Sequence, residues 1–266
     1  MDPAAGLGRP GPASRDVERL RTGHLEVRGR LLAASNASFV CELRASNKGA
    51  PQEHAGDSVH SAPLEAGPGL TCVYKPIRGE RPLFDFPIGT LAYREVAAYT
   101  LSAVSGWDVV PPTVLRDGPF GPGAVQLWID LDETADPLGL IRARQPALRR
   151  MALFDAIVNN ADRKVGHLLP VPGGHVYGVD HGICFAAEPK LRTVLWGWRG
   201  EPVPPEDLAV VARLAADLEA GLGEALCGLL APREVEATRR RASQLLQAGR
   251  FPQPDPDRPA VPWPPF

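Results

Sequence analysis

The strongest constraint on this chain is the order of its periodicities: strand-like patterns fill the first half and helical patterns the second. Leu25 to Leu32 alternates apolar and polar residues, as a half-buried strand does. Phe39 to Leu43 and Thr71 to Tyr74 read as two further strands. Val114 to Leu115 and Ala124 to Ile129 read as two more, joined by the turn-rich stretch Asp117–Gly123. One helix, Leu91 to Val104, interrupts the series, with Leu91, Val96, Tyr99 and Ala103 near one face. The apolar helix Ala147 to Asn159 opens the second half. A short strand, Val176 to Val179, follows it, and then helical stretches over 206–219, 222–230 and 233–248. Such segregation predicts an α+β fold of two lobes, one built on a sheet and one on helices, dividing near residues 130–137.

On this plan residues 1–15 are a disordered lead and 16–130 the first lobe, with 46–69 as a polar loop insertion. Residues 131–250 form the second lobe. The end, 251–266, carries seven prolines in 16 residues, which rules out helix and central strand and predicts an extended Pro-rich tail.

Composition then narrows function. The 29 basic and 31 acidic residues leave a net charge of −2, which gives no general attraction to nucleic acid or to anionic membrane. No apolar run is long enough for a transmembrane helix, and Met1 to Ser14 lacks the apolar core of a signal peptide. Four dispersed cysteines (Cys41, Cys72, Cys184, Cys227) contain no Cys-x-x-Cys pair, so buried thiols in a reducing cytoplasm are expected.

Only four basic residues are Lys, against 25 Arg, the bias that GC-rich coding produces. Under such a bias, Phe, Tyr, Met, Ile, Asn and Lys should persist mainly where physics needs them. Of 28 such residues, 18 lie within 71–100 and 151–190, so two segments stand out before any motif is invoked. A buried core explains their Phe and Ile, but not Lys75, Asn159, Asn160 and Lys164.

The first segment ends an apolar strand on Lys75, whose ammonium there needs an anionic partner; Glu95, on the next helix, can reach back to it. A surface lysine is the plainer alternative. The second runs from an apolar helix into Asn160-Ala161-Asp162-Arg163-Lys164 and His167, then a short strand and Asp180-His181-Gly182. Two carboxylates flanking a hairpin can bind a divalent cation such as Mg²⁺. A strand Lys, a helix Glu, a loop Asp and a strand Asp-x-Gly, in that order, are what phosphoryl transfer requires: cation charge at the phosphates, metal-binding carboxylates and an Asp at the acceptor hydroxyl.

With these residues in place, the chain resembles the phosphatidylinositol 3-/4-kinase-like superfamily. It is most similar to the type II phosphatidylinositol 4-kinases and to an uncharacterised actinobacterial branch related to them. The resemblance rests on Tyr74-Lys75-Pro76, Arg94 to Tyr99 and Val110 to Thr113; on Asp155 to Arg163; and on Val179 to Phe185 with Pro189-Lys190 and Trp196. It spans roughly residues 24–198 and implies a protein-kinase-like fold, with a small N-terminal sheet lobe and a reduced helical C-terminal lobe.

The resemblance also implies roles. Lys75 holds the α/β-phosphates of ATP and Glu95 orients it. Asp162 positions or deprotonates the acceptor hydroxyl, and Lys164 lies near the transferred phosphate. Asp180 binds Mg²⁺ or Mn²⁺. Asp155 and Asn160 brace the loop. Ser35, Asn36 and Ser38 lie where such enzymes cover the phosphates, although a plain polar hairpin turn reads equally well. Gln126 and Trp128 lead into the adenine-contacting hinge.

Departures matter as well. His167 stands where the family has a metal-ligating Asn; an imidazole suits Mn²⁺ better than Mg²⁺, and a loop histidine bonded to backbone is the alternative. His181 is given no catalytic role. The cysteine-rich segment by which type II lipid kinases are acylated is missing. The function expected is transfer of the γ-phosphate of ATP to an unidentified hydroxyl on a protein, small molecule or lipid headgroup. The alternatives are a nucleotide-binding pseudokinase acting as a regulatory module and an AMP transferase on the same scaffold.

Overall fold

The computed structural model describes residues 12–32, 35–44 and 69–266. Five strands, β1 (His24–Arg30), β2 (Phe39–Arg44), β3 (Leu70–Pro76), β4 (Thr113–Gly118) and β5 (Gly121–Leu127), form one antiparallel sheet in the order β1-β2-β3-β5-β4. The segment read as a turn, Asp117–Gly123, instead carries strand pairing to its tip, where Gly118 faces Gly121. Glycine is needed at Gly123, because a Cβ there would lie 2.5 Å from the Lys75 carbonyl oxygen on the neighbouring strand.

Helix α1 (Pro12–Thr22) precedes the sheet and seats Leu20 in its core with Leu25, Cys41, Leu43, Cys72, Tyr74, Val114 and Val125. Residues 12–15, assigned above to a disordered lead, therefore open a helix. Its apolar signal is weak, and tertiary packing of Leu20 stabilises it rather than intrinsic propensity. The loop insertion, apart from Gly69, and residues 1–11 lie outside the described residues.

The second lobe contains α3 (Pro137–Arg142), α4 (Pro146–Val158), the hairpin β6 (Leu168–Pro170) and β7 (Val176–Gly178), and helices α5 (Pro205–Leu218), α6 (Gly221–Cys227) and α7 (Pro232–Ala248). Its core gathers Leu148, Met151, Phe154 and Ile157 of α4 with Val211 and Leu214 of α5 and Val235 and Leu245 of α7.

Helix α2 (Leu91–Ser105) joins the two lobes. The chain division places it in the sheet lobe, yet Ala97, Ala98 and Leu101, with Trp107, Val109 and Val110, pack into the helical core. Its Arg94, 1% exposed, pairs with Glu234 of α7 at 2.6 Å and donates to the Cys184 carbonyl. Helix α2 thus packs against both lobes, meeting β4 and β5 of the sheet as well as α5 and α6. Leu91–Val104 reads as helix from sequence, but which lobe supplies its partner surface is a long-range matter.

Residues 251–266 form no helix or strand, and they turn back along the helical lobe. Phe251 is buried beside Trp198, and the Ala260 carbonyl accepts from both Thr193 N–H and Trp196 Nε1. Three cysteines are buried as expected; Cys227 is exposed.

Candidate active site

Strand β3 carries Lys75 one residue before its end, and α2 brings Glu95 against it. The Lys75 ammonium lies 2.6 Å from Glu95 Oε1 and 2.5 Å from Asp180 Oδ1. Burial opposes the charge on Lys75, but the Asp180 and Glu95 carboxylates outweigh it and raise its pKa. Asp180 is held well below the usual carboxylate range, chiefly by Lys75. Its backbone sits at φ 60, a left-handed conformation that Asp tolerates better than most residues and that recurs at functional sites. The second Asp180 oxygen faces His167 Nε2 at 3.6 Å.

From His167 the path returns to the loop after α4. The His167 Nδ1 accepts from the Lys164 N–H at 3.5 Å, and the Lys164 ammonium lies 3.2 Å from Asp162 Oδ2. Glu95, Lys75, Asp180, His167, Lys164 and Asp162 therefore form one continuous chain of charged and polar contacts across the junction of the lobes. Burial raises the pKa of Asp162, with Lys164 and Arg192 pulling the other way. Burial also pulls His167 down to about 4, so its imidazole is neutral near pH 7.

A second network holds the loop from behind. Asn159 ends α4 in the left-handed conformation, and its side chain donates to the Ala186 and Glu188 carbonyls while accepting from Lys190 N–H. Asp155 accepts from Asn160 Nδ2 and from the Arg163 guanidinium, the closest Arg163 nitrogen being 2.8 Å away. Asn160 Oδ1 accepts from Asp162 N–H. Arg163, fully buried, also donates to the Val179 carbonyl and to His181 Nε2. Gly178 leaves room for it: a Cβ there would come within 2.9 Å of the guanidinium. The bracing role given to Asp155 and Asn160 fits this geometry; Arg163 and His181 belong to the same brace and were missed. Their signal was a polar residue beside each proposed catalytic Asp, which read as incidental.

Three more contacts lie outside the sequence reading. Glu80 accepts from Leu91 and Ala92 N–H, placing a carboxylate at the N-terminus of α2. His181 N–H donates to Glu95 Oε2, tying the Asp180 turn to the same carboxylate that holds Lys75. From the tail, Pro265 C=O accepts the Val165 N–H, so the Pro-rich segment reaches the loop that carries Asp162.

The remaining candidates use their side chains elsewhere or expose them. Gln126, 4% exposed in mid-sheet, donates to Thr113 Oγ1, which takes its side chain out of the site. Trp128 sits past the end of β5, half-exposed, with its N–H on the Thr71 carbonyl. The side chains of Asn36 and Ser38 are committed to the turn itself: Asn36 Oδ1 accepts from Arg81 N–H, and Ser38 is buried against the Asn36 carbonyl. Ser35 is exposed. Lys190 is not in the cleft; it pairs with Asp85 and lies 5.3 Å from the Phe86 ring centroid.

No group of three or more His, Cys, Asp and Glu converges on a metal-sized site among the described residues. Asp180 and His167 offer two donors. Such a pair fits a divalent cation whose remaining positions are filled by phosphate oxygens and water. With Nδ1 accepting from Lys164, the His167 proton sits on Nε2 and points at Asp180. Ligation through Nε2 requires the other tautomer. No helix among the described residues is long and apolar enough to cross a membrane.

Comparison with known proteins finds one relative along nearly the whole chain. Over 289 aligned positions the chain is 44% identical to protein Rv2133c of Mycobacterium tuberculosis, covering 95% of this chain and 96% of that protein. The chain belongs to the Rv2133c family. Phosphatidylinositol 4-kinase gamma 4 of Oryza sativa subsp. japonica is 29% identical over 157 residues, which cover 51% of this chain but only 28% of that kinase. Among solved structures, the Helicobacter pylori proinflammatory kinase CtkA aligns with 85% of this chain and 98% of its own, at a TM-score of 0.43 and 12% identity. No family model matches.

Proposed function

We propose that this protein is an ATP-dependent phosphotransferase that moves the γ-phosphate of ATP to a hydroxyl acceptor. The observation that carries the reading is the unbroken chain from Glu95 through Lys75, Asp180, His167 and Lys164 to Asp162. It brings two lysine ammoniums, the Glu95 and Asp180 carboxylates and the partly desolvated Asp162 together at the junction of the lobes, which meets the electrostatic requirement of phosphoryl transfer. The partial match to a plant phosphatidylinositol 4-kinase supports the same chemistry.

In this reading Lys75 releases Asp180 when phosphates enter and pairs with them, while Glu95 keeps its ammonium in place. Asp162 accepts or orients the acceptor proton; its raised pKa suits a base better than that of an ordinary carboxylate. Lys164 lies beside Asp162, positioned to meet charge on the transferred group. Asp180, with His167 beside it, would hold Mg²⁺ or Mn²⁺, which supplies charge neutralisation at the phosphates.

Incubation with γ-labelled ATP and either metal tests this directly. Wild type is expected to turn over ATP or label itself, and Asp162→Asn to lose that activity. Equal inertness of both with both metals sinks the reading. A second reading, a nucleotide-binding regulatory module, is favoured by the engagement of both Asp180 oxygens, one with Lys75 and one facing His167. Thermal stabilisation by ATP and metal without turnover selects it. Labelling from α- but not γ-labelled ATP marks AMP transfer.

A further inference from the structure

A cavity of about 700 Å³ lies outside the cleft. It is bounded by the second half of α7, by residues 187–192 and by the returning tail, and none of Lys75, Glu95, Asp162 or Asp180 lines it. Its volume falls within the ~300–1,000 Å³ range of small-molecule sites. Its charge is one-sided: Lys190, Arg192, Arg240, Arg241, Arg250 and Arg258 face only two carboxylates, Asp85 and Asp255. Ala156, Leu245, Ala248 and Trp196 supply apolar wall between them.

Those cations are not equally neutralised. Lys190 pairs with Asp85, Arg258 with Asp255 and Arg240 with Glu236. Arg241 has no ion pair among the described residues. Its guanidinium is spent on neutral acceptors, the Ile157 and Ala186 carbonyls and Thr238 Oγ1, and burial pulls its pKa down to about 10. A largely buried guanidinium with no carboxylate in contact is costly unless an anion arrives. Arg192 also has no carboxylate in contact among the described residues. Its guanidinium makes no hydrogen bond or ion pair among the described residues, although it acts through space on Asp162. The Arg192 backbone also pairs with the loop, N–H to the Asn160 carbonyl and C=O from Arg163 N–H.

We propose that this cavity binds a small molecule bearing a phosphate or comparably strong anionic group on an apolar body, at a site separate from the nucleotide cleft. Arg192 and Arg241 are the residues that meet the anion, and the α7 and tail residues hold the apolar part. The low-dielectric walls strengthen the attraction of these cations for an anion. The site does not depend on the transfer chemistry proposed above.

Isothermal titration of the full chain with 1-naphthyl phosphate tests the proposal, because that probe joins a phosphate to an apolar ring and carries no hydroxyl to accept phosphate. One molecule per chain is expected to bind, at least about tenfold more tightly than uncharged 1-naphthol. Arg241→Gln and the half-exposed Arg192→Gln should each weaken it about tenfold or more. The second variant guards against misfolding of the first, since the Arg192 side chain makes no hydrogen bond or ion pair among the described residues. Lys75→Met should leave the affinity within about twofold, while abolishing ATP-dependent stabilisation if the cleft is read correctly. The proposal is overturned if the probe gives no saturable binding, if naphthol binds equally well, or if Arg192→Gln binds like wild type. It is also overturned if Lys75→Met weakens the probe as much as the arginine variants do, because the probe then occupies the cleft.

Discussion

Two charged networks meet at residues 160–164, and they differ in what surrounds them. Behind the loop, Asp155, Asn160, Arg163 and His181 are all fully buried, and opposite charge meets opposite charge with closely fitted hydrogen bonds. In front of it, Lys75, Asp180, His167, Lys164 and Asp162 are linked by fewer contacts, and Asp180 is half-exposed. The sealed network fixes backbone position. The open one leaves charges that a ligand can reorganise. A buried pair is costly to break because the remaining charge has no solvent, whereas a half-exposed pair can exchange partners.

The largest expected effect breaks the sealed side. Asp155→Ala leaves the Arg163 guanidinium unpaired, and urea unfolding should show a loss of about 3–5 kcal/mol. If this variant unfolds at the same urea concentration as wild type, the distinction between the networks fails. Asp162→Asn sharpens the same comparison from the open side. Phosphate transfer should fall at least about 10²-fold, close to 3 kcal/mol in the barrier, while the urea midpoint stays near wild type.

A smaller effect follows from pH. Burial keeps His167 neutral down to about pH 4 and drives His181 well below its ordinary 6.5. The unfolded chain binds protons at both imidazoles as pH drops through about 6.5, where the folded chain binds none. Stability is therefore fully present above pH 6.5 and is lost as pH falls toward 4, with a slope of up to about 1.4 kcal/mol per unit for each imidazole. Urea midpoints measured across that window check the sign, and His167→Gln should make the fall shallower. The smallest effect is expected at Ser35→Ala, an exposed turn position, with stability changed by less than about 0.5 kcal/mol and nucleotide affinity unaltered. A marked loss of ATP binding in that variant would return the Ser35–Ser38 turn to the site.

Legibility from sequence followed the same divide. Lys75, Glu95, Asp162, Lys164 and Asp180 were visible because charged residues stand in or beside apolar elements there, and their order along the chain is informative. Arg163 and His181 were not, because their role depends on a guanidinium reaching Asp155, Val179 and His181 together through the space that Gly178 leaves. The Gln126 side chain could not be placed from sequence, because its partner Thr113 lies across the sheet on the neighbouring strand. Helix α1 escaped notice because few apolar residues mark it.

By itself the sequence determined the element types, the two-lobed α+β division and the residues of the open network, since periodicity and the placement of scarce Lys and Asn are local properties. The tertiary structure alone decided that α2 packs against both lobes, that the Pro-rich tail folds back to place Pro265 against Val165, and that Arg192 and Arg241 face one cavity with too few carboxylates. Those are contacts between residues tens to more than a hundred positions apart, and they depend on complementary surfaces and on which charges lose their water, neither of which a local pattern records.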